Sequence, residues 1–182
     1  MHFKETKLQG CFIIDPNKLE DNRGYFARTY CENEFHAHGI DTEFPQCNTV
    51  NNHNKYTLRG MHYAQHPAEE SKLIRCTKGS VFDVVVDLRR DSMTFLKWIS
   101  IELSCENQRM LFVPPQFAHG YLSLEDDTDL FYQMGDFFKP DLVRGLRWND
   151  PTLAINWPYK PEVISEKDSE LPLVSDVFVV KE

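Results

Sequence analysis

Arg59, His62 and Lys72 lie close together in one stretch of the chain and have the side chains needed to move a proton beside an anionic ligand. An imidazole gives or takes a proton near neutral pH, and a guanidinium and an ammonium hold anions or the negative charge that builds up during a reaction. A phenol such as Tyr132, on another strand, supplies the acid to set against a histidine base. This combination suits a substrate with acidic protons next to a carbonyl, and a phosphorylated sugar fits it. A second chemistry is also written here: His62, His66, Glu70 and His119 have the ligand types of a β-barrel metal site. Its spacing is imperfect, because three residues rather than one separate His62 from His66 and Pro67 puts the latter in a loop. Purely structural roles compete with both, since strand Arg and Lys side chains commonly run along the surface to water.

The elements around these residues read as strands. Lys72 to Cys76 and Val81 to Leu88 flank the turn dipeptide Lys78-Gly79 and predict a β-hairpin, with Phe82, Val84, Val86 and Leu88 on one face. Leu58 to His62 is a third extended piece in which Arg59 and His62 have opposite strand parity. Gly60 lies between them, and a bulge there would bring both side chains into one cavity. Further strands are predicted over Cys11 to Ile14, Tyr25 to Tyr30, Gln46 to Val50, Thr94 to Leu103, Met110 to Val113, Ala118 to Leu124 and Asp129 to Met134. The first of these has no evident hairpin partner and is open to pairing with a second subunit or to an ordinary edge position. Glu32 to His38 before Gly39 is the one convincing helix. Short strands with turns between them indicate an all-β sandwich or barrel.

The chain has 182 residues, 41% of them hydrophobic and 13% aromatic, enough for one domain with a sizeable core, over 1–182. Its net charge of −8 provides no global basic field for nucleic acid, so an anionic ligand needs a local cluster of cations. No apolar run approaches membrane-spanning length, and Lys4 and Glu5 bring charge in early, which predicts a cytoplasmic protein with no membrane partner. Five cysteines scattered without a CxxC pair are expected to be reduced packing residues.

Seven runs extend the reading: Asp21-x-Arg23-Gly24-x-Phe26, LRGMHY at 58–63, KLIRCTKGSVFDVVVDLR at 72–89, VPPQFAHGY at 113–121, FYQM at 131–134, RGLRWNDP at 144–151 and ISEKD at 164–168. Together they resemble the dTDP-4-dehydrorhamnose 3,5-epimerase family, in matching order from about Phe12 to about Asp168. The resemblance implies a cupin-type β jelly roll and a homodimer whose N-terminal strands cross to the partner, with the segment from about 140 onward packed over the barrel. It implies a nucleotide-linked 4-keto-6-deoxy sugar as substrate, with no metal and no cofactor. It makes His62 the base, Tyr132 the opposing proton donor and Asp168 the residue that orients His62. Arg59 and Lys72 would face sugar and diphosphate, Arg23 the nucleotide, and Gln46 and Asn48 a polar wall; Phe138 and Lys167 are carried over as substrate contacts. For His119, a substrate contact and a buried structural role are equally compatible.

The chain departs from the family pattern at several of these positions. Arg28, also carried over as a ligand position, stands where the dTDP-rhamnose enzymes have Glu, and so does Val143; Phe137-Phe138 replaces two tyrosines. The loop between Gln46 and Leu58 is one residue longer. A CDP- or GDP-linked sugar and inversion at a single centre therefore stay open, as do, from another class, a metal-binding or non-catalytic sugar-binding cupin.

Overall fold

The computed structural model describes residues 1–41, 43–68 and 70–178. Two six-stranded sheets face each other. The first runs in the order β1 (His2–Glu5), β2 (Phe12–Asp15), β10 (Met110–Val113), β7 (Lys72–Lys78), β12 (Thr128–Met134), β5 (Gln46–Asn52). In the second the order is β13 (Val143–Gly145), β6 (Thr57–Ala64), β11 (Phe117–Ser123), β8 (Ser80–Asp87), β9 (Trp98–Ser104), and β14 (Val163–Ile164) joins β6 in parallel. A separate hairpin, β3 (Lys18–Asp21) with β4 (Gly24–Ala27), stands off both sheets. Helices are short: α1 (Glu32–His36), α2 (Glu166–Ser169) and α3 (Val174–Val177). This is the expected all-β jelly roll, formed as two hydrogen-bonded sheets rather than a closed barrel.

The predicted hairpin between Lys72 and Leu88 is not formed. β7 pairs with β10 and β12 in the first sheet, whereas β8 pairs with β11 and β9 in the second. At Gly79 the chain crosses from one sheet to the other. That residue has φ +71, and a Cβ there would stand 2.5 Å from Thr128 Oγ1, so only glycine fits the crossing. Because β8 is central, both of its faces are covered. Val81 and Val85 point inward to meet Ile74, Leu111 and Leu130 of the facing sheet. Phe82, Val84, Val86 and Leu88 share the outer face, where Met61, Leu146, Leu153 and Val174 cover them. A third cluster closes the outer face of the first sheet, with Phe35 of α1 buried against Ile14, Leu73 and Phe112.

Two other expectations change. β2 is not an unpartnered strand, since β1 flanks it on one side and β10 on the other; HFKE has too little apolar alternation to announce a strand. β9 begins only at Trp98, because the Ser92 and Thr94 hydroxyls turn back to donate to Asp87, each at 2.6 Å.

Candidate active site

Between the sheets, beside the apolar core, lies a cavity of about 420 Å³. One wall is built by period-two alternation: Gln46 and Asn48 from β5, Lys72 and Ile74 from β7, and Leu130, Tyr132 and Met134 from β12. The other wall carries Arg59 and His62 from β6 with His119 and Tyr121 from β11. The β6–β11 register explains how residues of opposite parity share this wall. His119 pairs with His62 and Tyr121 with Arg59, so three steps on β6 oppose two on β11. That is a bulge, with Gly60 at φ +129; a Cβ there would lie 2.5 Å from Gly120 Cα.

Asp168 reaches the cavity from the far end of the sequence. β14 pairs with Thr57 and Leu58 at the start of β6, and Ser165 then caps α2 by accepting the Asp168 N–H at 3.0 Å. One Asp168 oxygen lies 2.7 Å from His62 Nε2 and the other accepts the Gly60 N–H at 3.3 Å. Burial pushes this carboxyl up, but the hydrogen bond and charge of His62 and the Gly60 N–H outweigh it and hold Asp168 below the usual carboxylate range. With Nε2 committed to Asp168, Nδ1 is the ring nitrogen left without that partner. On the opposite wall, burial first and the Glu70 charge second push the Tyr132 phenol up, against the pull of Arg59. Both effects favour the protonated phenol.

Three more pairs shape the electrostatics. His119 Nε2 lies 2.9 Å from both oxygens of the fully buried Asp83, whose carboxyl burial pushes up against His119 and Lys72. The Lys72 ammonium is 2.5 Å from Glu70. Arg59 Nε donates to Asn52 Oδ1 at 2.9 Å. His66 is exposed and outside the cavity, and among the described residues no three His, Cys, Asp or Glu side chains are grouped to hold a metal ion.

Of the residues singled out from sequence, the cavity brings together His62, Tyr132, Asp168, Gln46, Asn48, Arg59, Lys72, His119 and Phe138. Arg23, Arg28 and Lys167 lie outside it in the single chain: Arg23 is paired with Asp21 at the β3–β4 turn, Arg28 with Glu34, and Lys167 is exposed on α2. Val143, one of the departures from the family pattern, lines the cavity. Sequence reasoning missed Asp83, Asn52 and Tyr121. Asp83 had a signal, since a carboxylate in step with the inward-facing Val81 and Val85 needs a buried partner.

The dTDP-4-dehydrorhamnose 3,5-epimerase family model matches residues 5–176. The chain belongs to this family. The epimerase is 39% identical over 180 residues to a dTDP-4-dehydrorhamnose 3,5-epimerase of Sinorhizobium fredii, covering 98% of this chain and 92% of the relative. Its fold is similar to that of the Bacillus anthracis enzyme of the same name, solved with TDP and PPi bound (TM-score 0.92, 36% identity, 94% and 98% of the two chains). It is also similar to a 3'-monoepimerase of Streptomyces bikiniensis in complex with dTDP (TM-score 0.89, 28% identity, 97% and 88% covered). That structure is a double variant in which a histidine and a tyrosine are replaced by Asn and Phe, at the same separation in sequence as His62 and Tyr132. The protein is accordingly an isomerase. No helix among its described residues is long and apolar enough to cross a membrane.

Proposed function

We propose that the cavity epimerises a dTDP-linked 4-keto-6-deoxyhexose at C5 and C3, with His62 as base and Tyr132 as acid. The observation that carries this reading is their position on opposite walls of one cavity. His62 Nδ1 takes the proton from the carbon beside the keto group, and the C–H electron pair moves into the carbonyl to give an enolate. Lys72 stabilises that charge, Arg59 holds the diphosphate, and His119 contacts the substrate. The Tyr132 O–H then delivers a proton to the opposite face, the carbonyl re-forms, and proton exchange through solvent resets both residues. A base on one face and an acid on the other are what inversion needs, since one group alone tends to return the proton to the side it left.

The nucleotide end is read with a second subunit. The β3–β4 hairpin exposes Leu19 (68%), Tyr25 (50%) and Phe26 (69%), a set of apolar side chains that a partner would cover. A homodimer in which this arm crosses over would bring Arg23 and Arg28 toward the partner's nucleotide, beside Phe138 and Lys167; a monomer by light scattering at micromolar concentration would overturn it. Five free cysteines support a cytoplasmic setting. Incubation with dTDP-, CDP- and GDP-linked 4-keto-6-deoxy sugars in heavy water, with deuterium at C3 and C5 followed by NMR, tests the whole reading. The dTDP sugar is expected to take up label at both carbons; faster turnover of the CDP or GDP analogue would move the assignment to that nucleotide.

A further inference from the structure

Arg59 differs from every other basic side chain of the cavity. Lys72 has Glu70, His62 has Asp168 and His119 has Asp83, each within ion-pair distance. Among the described residues Arg59 has no carboxylate partner. Neutral groups hold it instead: Nε donates to Asn52 Oδ1 at 2.9 Å and Nη2 to the Asn51 carbonyl at 3.3 Å.

Asn52 is itself only 1% exposed and ends β5. Its Nδ2 donates to the Thr128 carbonyl at 3.1 Å, and its Oδ1 also accepts the Tyr121 hydroxyl at 3.3 Å. One amide therefore ties β5 to β12 within the first sheet and to β6 and β11 in the facing sheet. An amide offers both donors and an acceptor, which this junction uses together; an aspartate has the same shape but offers acceptors only and brings a charge.

We propose that Asn52 is a positioning residue of this cavity, which aims Arg59 at the diphosphate of the ligand and leaves its positive charge uncompensated. The inference rests on the reading of Arg59 as a diphosphate contact. It assigns recognition of the anionic group to a guanidinium whose field is not spent inside the protein, whereas Lys72, His62 and His119 each face a carboxylate and are left for work on the sugar.

The test is binding of dTDP by calorimetry at low and high salt, with kcat and KM measured beside it, for wild type, Asn52→Asp, Asn52→Ala and Arg59→Met. Asn52→Asp keeps the side-chain shape and places a carboxylate on Arg59. It is expected to weaken dTDP binding and raise KM by at least tenfold, with a smaller effect on kcat and a shallower salt dependence. Asn52→Ala loses the aim but not the charge, so its binding weakens while the salt dependence stays. In the Arg59→Met background either Asn52 change should have no further effect on binding, a result that can be read even if Asn52→Asp alone folds poorly. Wild-type affinity and salt dependence in Asn52→Asp, or additive losses in the double variant, overturn the inference. If the wild type itself fails to bind dTDP, the functional reading falls and takes this inference with it.

Discussion

Replacing Asp168 by Asn keeps the size of the side chain and removes its charge, at a position where both oxygens are used. In the native protein the carboxylate can only accept, so the imidazole carries its proton on Nε2 and presents a lone pair at Nδ1. An amide can donate to Nε2 instead, which leaves the proton on Nδ1 and caps the base. When His62 has taken the substrate proton it is an imidazolium, and the Asp168 charge stabilises it. Charge centres about 4 Å apart at an effective dielectric of about 20 attract by about 4 kcal/mol. The His62 side chain is 35% exposed, so water screens part of this and about 2–3 kcal/mol is expected to remain. At 1.36 kcal/mol per factor of ten, Asp168→Asn should slow proton abstraction by about 30- to 160-fold. Deuterium uptake into substrate in heavy water, read by NMR at saturating substrate, measures that step directly, and circular dichroism checks that the fold is kept. Exchange at the wild-type rate in a folded Asp168→Asn protein would refute the reasoning.

Tyr132→Phe deletes the donor and leaves the base, so deuterium should enter the starting configuration faster than epimerised product forms; unchanged product formation would mean the donor is another group. Gly60→Ala places a methyl 2.5 Å from Gly120 Cα on a backbone at φ +129, and strain of about 1–3 kcal/mol before the clash is counted should lower the melting temperature and misalign Arg59 and His62. A wild-type melting temperature together with wild-type turnover would show that the bulge does not hold them. Burial alone would push Asp87 up, but hydrogen bonds from Arg89, Ser92 and Thr94 win and bring it down to about 2. Its folded value is below its unfolded one, so it stabilises the fold by about 2 kcal/mol above pH 4, and this is lost as pH falls toward 2. Urea midpoints at pH 6 and pH 3 should therefore differ more in wild type than in Asp87→Asn.

Much of the site could be read from sequence because its walls keep simple periods. Gln46 and Asn48, and Tyr132 with Met134, recur at the spacing of a strand face. The bulge was legible because Gly60 separates two reactive residues of opposite parity. The sheet to which each strand belongs was not. Lys78-Gly79 has the same turn chemistry whether the chain folds back beside itself or crosses to the facing sheet, and β8, with Asp83 and Asp87 on the face opposite Phe82, Val84 and Val86, alternates like a half-exposed hairpin strand although both its faces are buried. Asp168 was assigned by resemblance, since an exposed-looking ISEKD run says nothing of a one-turn helix docked on β6. Asn52 read as part of a polar loop because two of its three partners, Tyr121 and Thr128, lie 69 and 76 residues away in sequence.

The crossing at Gly79 also bears on how the reaction can be tuned. His62 and Tyr132 belong to different sheets, so the gap across which a sugar ring must fit is fixed by the thickness of the layer between them, about 10 Å in packed sheets. Ile74, Val85, Leu111 and Leu130 act as spacers for that gap, although they carry no chemistry. A methylene gained or lost among them would alter the reach of acid and base together. The apolar layer thus sets the distance between the two walls of the cavity as well as holding the sheets together.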